Sequence, residues 1–182
     1  MSETSDLYLS KASFSSCGFY RWCLERKLSN SERVLIFIGL NPSKASSKRD
    51  DPTLKRLVKY GNIWGYGYLV VINLFARVGS TPSIIRRCKD PIGMKNNQEI
   101  TDRASQWSHD PLCDLWLGWG NFGAWKNRNV DVMNLLKPKA ISRSILYPAS
   151  LGPLSIGLTN KGKPRHPLYA SYKEILRPYK LI

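Results

Sequence analysis

The chain has 182 residues, 42% hydrophobic and 11% aromatic, with 28 Lys and Arg against 13 Asp and Glu and a formal net charge of +15. That length and apolar content suit one folded domain with a substantial core and exclude a disordered or low-complexity chain. No apolar run approaches the roughly 20 residues of a membrane span, and the scattered cysteines, without a CxxC pair and beside two histidines, offer no metal-ligand spacing.

Met1–Ser10 holds acidic residues and no apolar run, which predicts no secretory signal. Read as reduced thiols, Cys17, Cys23, Cys88 and Cys113 suit a cytoplasmic protein. Ser10–Asn30 carries Phe14, Phe19, Tyr20 and Trp22 among basic residues and is expected to pack across the core. Arg33–Leu40 is a buried strand by its continuous apolar run. Pro52–Tyr60 reads as a helix, with Asp51 as N-cap, Pro52 at the first helical position, Leu54, Leu57 and Val58 on the apolar face and Gly61 closing it. A turn-rich bridge leads to a second buried strand, Tyr68–Asn73, so the unit is β-α-β with a parallel pair and a right-handed crossover. Ser80–Cys88 is a short helix and Gly93–Trp107 a longer one ending before Asp110-Pro111. Leu112–Leu117 is a third strand closed by Gly118-Trp119-Gly120. Asn127–Leu136 is a helix stopped by Pro138, Leu154–Leu158 a fourth strand, and Tyr169–Leu176 a final short helix. The expected fold is a single α/β domain over residues 1–182, a three-layer α/β/α sandwich around a short, about four-stranded, mainly parallel sheet.

Polar residues collect where these strands end, and parallel strands deliver their carboxyl ends to one rim. The first strand brings Asn41 and Ser43, with Asp51 beyond the loop. The second brings Asn73, an amide interrupting VVINLFA. The third brings Trp119 between two glycines, and the loop after the fourth brings Lys161, Lys163, Arg165, His166 and Tyr169. Plain structural roles compete at several of these positions. Asn41 also reads as a turn-former before Pro42, Asp51 as a helix cap, and His166 as a satisfied structural histidine. Asn73 favours function, because a buried amide has four hydrogen-bonding capacities to satisfy. His109, in a Ser-His-Asp-Pro turn, reads as surface. No P-loop and no GxGxxG fingerprint occurs, which argues against ordinary NTP hydrolysis and dinucleotide redox chemistry. From Asn121 onward eleven Lys and Arg face only Asp131 and Glu174. A field of that sign attracts polyanions.

YRWCLER, IFIGLNPSKAS, DDPTLKR, GYGYLVVINLFA, DPIGMKNNQEI, LGWGNFG and GLTNKGKPRHPLY, in that order from Tyr20 to Tyr169, resemble the bacterial and phage domain-of-unknown-function family 1643. Lys44 stands where that family usually has threonine, and extra residues lie around Tyr147–Gly152. Three shorter stretches also resemble the uracil-DNA glycosylase superfamily: Gly39-Leu40-Asn41-Pro42 after the first strand, Asn73 at the end of the second, and His166-Pro167 after the fourth. That second resemblance implies a site in which Asn73 reads a base edge and Trp119 or Tyr169 stacks on the base. His166 would stabilise charge developing on a base carbonyl, Asn41 or Asp51 would position a water, and Ser43 and Arg165 would touch the substrate. Lys161, Lys163 and Arg56 would hold phosphates.

Three functions remain in view. The first is action on, or recognition of, a nucleobase in nucleic acid (DNA before RNA) or in a nucleotide, by a monomer without cofactor or metal and without membrane attachment. The second is a non-catalytic basic nucleic-acid-binding module, marked by steep salt dependence. The third is an enzyme on a small anionic metabolite, with the Asp51–Thr53 helix start as its anion site.

Overall fold

A computed structural model describes residues 10–43 and 50–180. Residues 1–9, read above for a signal, and Lys44 lie outside the described residues. In chain order the elements are β1 (Ser10–Phe14), β2 (Arg21–Lys27), β3 (Val34–Gly39), α1 (Pro52–Ile63), β4 (Tyr68–Asn73), α2 (Pro82–Arg87), α3 (Asn96–His109), β5 (Cys113–Leu117), α4 (Arg128–Leu146), β6 (Leu154–Ser155) and β7 (Arg177–Pro178). Short 3-10 segments occupy Asn121–Asn127 and Pro167–Tyr169.

The α/β class holds, but the sheet is larger than four strands. Among the described residues it has seven, in the order β1-β2-β4-β3-β5-β6-β7. The four central strands β4, β3, β5 and β6 are parallel, whereas β1, β2 and β7 pair antiparallel at the two sides. The N-terminal segment therefore does more than lie on the core: β2 extends the sheet, with Leu24 opposite Val71.

Period-two alternation sorts the central strands onto two cores. Leu35 and Phe37 of β3 and Leu69 and Val71 of β4 pack with Leu54, Leu57 and Tyr60 of α1. Ile36, Ile38, Val70 and Ile72 pack on the other side with Ile100, Ala104 and Trp107 of α3 and with Val132 and Leu136 of α4. Full burial of each such side chain contributes roughly 1.5–3 kcal/mol.

The start of α1 is as expected. The Asp51 side chain accepts from the Leu54 N–H at 2.8 Å, and Pro52 opens the helix. Its end is not. The helix runs through Gly61 to Ile63, because Gly61 serves close approach: a Cβ there would lie 2.4 Å from Leu28 Cδ1.

Pro138 likewise fails to stop its helix; α4 continues to Leu146 with the proline inside. The second half is anchored by Arg143, whose guanidinium donates to the carbonyls of Trp107 and Asp110 and to Ser150 Oγ. Tertiary anchoring of this kind outweighs one lost backbone bond. The fourth strand shrinks to Leu154–Ser155. No helix forms over Tyr169–Leu176: after the 3-10 turn the chain is irregular and then pairs with β6 as β7. Among the described residues, no helix is long and apolar enough to cross a membrane.

Candidate functional site

The carboxyl ends of β3 and β4 lie side by side, with Gly39 in register with Asn73. Asn73 shares the α1 side of the sheet with Leu69 and Val71, four and two residues before it. There Phe37, Gly39, Val71, Leu54 and Leu57 wall an inner cavity of about 50 Å³, whose polar lining is Arg21, Asn41, Ser43, Asp51, Thr53, Asn73 and His166. A larger outer cavity of about 430 Å³ adjoins it, because Leu40, Asn41, Ser43, Thr53 and His166 line both. Trp119, Asn121, Phe122, Thr159, Arg165 and Tyr169 are among the outer walls.

Asn73 is 4% exposed, yet its Nδ2 has no hydrogen-bond partner among the described residues. Its backbone is pinned from behind by Asn96, whose Nδ2 donates to the carbonyls of Asn73 (3.1 Å) and Leu74 (2.8 Å). Arg128 Nε also donates to the Leu74 carbonyl, at 2.8 Å. A fixed backbone thus carries a buried amide donor that a hydrogen-bond acceptor would satisfy.

His166 precedes the Pro167–Tyr169 turn, and its Nδ1 accepts from the Leu168 N–H at 3.2 Å. That bond assigns the tautomer: Nδ1 carries the lone pair, so in the neutral ring Nε2 carries the proton and is a donor. Burial pushes the imidazole pKa down to about 4, against the pull of the Asp51 carboxylate. At neutral pH His166 is therefore an uncharged N–H donor.

Among the described residues Asp51 is the one carboxylate lining the inner cavity, and one of its oxygens is engaged as the α1 cap. Its charge acts on both His166 and Arg21. Arg21 is a buried guanidinium whose pKa burial lowers to about 10, with Asp51 opposing the shift, so it stays cationic at neutral pH.

Asn41 is held as a turn-former, its Nδ2 donating to the carbonyls of Gly79 (2.8 Å) and Pro42 (3.2 Å). Ser43 Oγ is buried without a partner among the described residues. Trp119 is 1% exposed and belongs to the core on the α3 and α4 side, so it walls the outer cavity instead of offering a free face. Tyr169, 81% exposed on the rim, does offer one. Arg165 donates to the Leu158 carbonyl at 3.2 Å and lies 3.6 Å from Glu174 Oε1.

Three predicted phosphate contacts stand apart. Lys161 and Lys163 sit on a tight hairpin in which Thr159 N–H donates to the Lys163 carbonyl, and neither lines either cavity. Arg56 is a loop clamp: its Nε donates to the Pro167 carbonyl at 3.0 Å, another nitrogen donates to the Ala170 carbonyl, and its face covers the Tyr172 ring. Sequence reasoning missed Arg21 as a site residue. The signal was a cation at the head of the apolar triplet Trp22-Cys23-Leu24. Because β2 runs antiparallel to β4, its first residue lies beside the carboxyl end of β4.

The family model described as "Protein of unknown function (DUF1643)" matches residues 21–168. The chain belongs to this family. The DUF1643 match takes in β2 through the His166 turn, and so contains every residue lining the inner cavity. Comparisons with curated proteins and with solved structures returned no match.

Proposed function

We propose that this DUF1643 member recognises a nucleobase, carried by nucleic acid or a nucleotide, with the edge of the base in the inner cavity, in a site of the N-glycosidase type. The reading is carried by one observation: the neutral, Nε2-protonated His166 and the unpartnered amide donor of Asn73 line the same small cavity. Two uncharged donors lining one cavity suit a carbonyl oxygen on which negative charge develops. Cleavage would run as follows. The base departs from C1′ with the bonding electron pair, and His166 stabilises the charge on its carbonyl by donating from Nε2. Water adds to C1′ and passes its proton to the Asp51 carboxylate. Asn41, already bonded through its amide nitrogen, is suited to orienting water and not to removing its proton. Arg21 and the formal charge of +15 favour an anionic carrier for the base. We extend the proposal to the fold: four central parallel strands between α1 and the α3–α4 pair are consistent with a sandwich of the uracil-DNA glycosylase kind.

Abasic-site formation on a panel of modified-base oligonucleotides tests the catalytic part, with His166→Ala and Asn73→Ala both expected to abolish it. A negative panel with folded protein overturns cleavage. Recognition alone is then tested by ligand-induced thermal stabilisation with free bases and nucleosides, which must saturate and must require Asn73. A small phosphorylated metabolite is the second reading, favoured by the buried Arg21 beside the start of α1. Saturable stabilisation by such a compound without any by nucleosides would select it.

A further inference from the structure

Resting on the base-binding reading above, we infer that the outer cavity receives single-stranded nucleic acid, with the nucleotides flanking the target stacked on Tyr169 and Phe122. These two aromatic residues line one cavity, at 81% and 48% exposure, while the indole of Trp119 between the same walls is fully covered. Exposed rings scattered singly are ordinary, whereas rings gathered on one cavity mark an interaction site. Tyr169 rises directly beside the inner site, its ring centroid 6.0 Å from that of His166 and tilted by 52°. On the other wall, the guanidinium of Arg86 lies 5.4 Å from the Phe122 ring.

The charge pattern matches the rings. Among the described residues no carboxylate lines the outer cavity, and Arg165, which also pairs with Glu174, is its charged wall. Thr159, also on that wall, accepts from the backbone N–H groups of Lys161 and Lys163. A strand leaving the cavity past Thr159 would thus meet two lysines that the cavities themselves do not use. Aromatic faces interleaved with cations along one path form a platform for unpaired bases. A duplex cannot use it, because its bases already cover one another's faces and the target lies inside the stack.

Equilibrium fluorescence anisotropy with the whole chain tests this, using one short labelled sequence as single-stranded DNA, as single-stranded RNA and as DNA duplex. At least one single strand is expected to bind tenfold or more tightly than the duplex. Tyr169→Ala and Phe122→Ala should each weaken single-strand binding roughly tenfold, whereas Tyr169→Phe and Tyr68→Ala, the latter at the opposite end of β4, should leave it unchanged. Equal affinity for duplex overturns the inference, as does a Tyr169→Ala protein that is folded and binds like the parent. The base-binding reading is separately scored by Asn73-dependent stabilisation with nucleosides. If that persists while strand selectivity is absent, only the platform falls. If selectivity tracks Tyr169 without any nucleoside effect, the platform stands and the base site falls.

Discussion

Asn73 faces Gly39 across the β3–β4 register, and a Cβ on Gly39 would lie 2.9 Å from the Asn73 amide oxygen. The same Cβ would lie 2.9 Å from Cε1 of Phe37. Glycine here leaves room for the amide that lines the inner cavity and for the ring that walls it. Gly39→Ala should therefore cost about 1–3 kcal/mol of stability by overpacking. It should weaken nucleoside binding by an order of magnitude or more, as Asn73→Ala should. Denaturant unfolding and ligand titration on the same samples separate the two effects. Unchanged ligand affinity in a folded Gly39→Ala protein would remove Asn73 from the site.

Asp51 caps α1, and one pair of substitutions separates that role from the proposed proton transfer. Asparagine caps helices about as well as aspartate, whereas alanine does not. Asp51→Asn should keep α1 stable to within roughly half a kcal/mol, and Asp51→Ala should lose about 1 kcal/mol. If the carboxylate takes the proton from water, both variants lose cleavage to a similar extent despite their different stabilities. Retained turnover in Asp51→Asn would reduce Asp51 to a cap.

Arg56 distinguishes a clamp from a phosphate contact. Its guanidinium holds the carbonyls of Pro167 and Ala170, so it shapes the turn that orients His166. Arg56→Met should cost about 1.5–3 kcal/mol, since it removes charged hydrogen bonds to two carbonyls. It should leave the slope of nucleic-acid affinity against salt unaltered, whereas loss of a true phosphate contact lowers that slope by about one. A reduced slope with unchanged stability would restore the phosphate role.

What was legible in the chain follows from the range of the interactions involved. The central strands and the start of α1 rest on local signals, namely apolar runs and an Asp-Pro cap, and β4 falls on Tyr68–Asn73 as read. Proximity of Asn41, Asp51, Asn73 and His166 was also legible, because parallel strands share one rim. What escaped depended on partners distant in sequence. Pro138 reads as a terminator until Arg143 is seen bonding to the end of α3. Gly61 reads as a cap until Leu28 is seen against it. Arg21 enters the site only because β2 pairs antiparallel with β4, a pairing for which the N-terminal residues carry no local signal. The glycosylase resemblance makes Trp119 a stacking platform, but it lies 1% exposed in the core on the α3 and α4 side.

His166 yields a pH prediction with a definite sign. Its folded pKa of about 4 lies below the ordinary histidine value of 6.5, because burial disfavours the charged ring. Between those values the unfolded chain binds a proton that the folded chain does not, so the contribution of this residue falls as pH falls. Relative to His166→Gln, the parent should lose up to about 3 kcal/mol of stability between pH 7 and pH 4. It should lose nothing above pH 7. The Cε1 proton of His166 should titrate near pH 4 by NMR, and ligand affinity should show no step attributable to His166 between pH 6 and 8. A midpoint near 6.5 would mean that the ring is charged through part of the physiological range. The uncharged donor on which the proposed chemistry depends would then be lost.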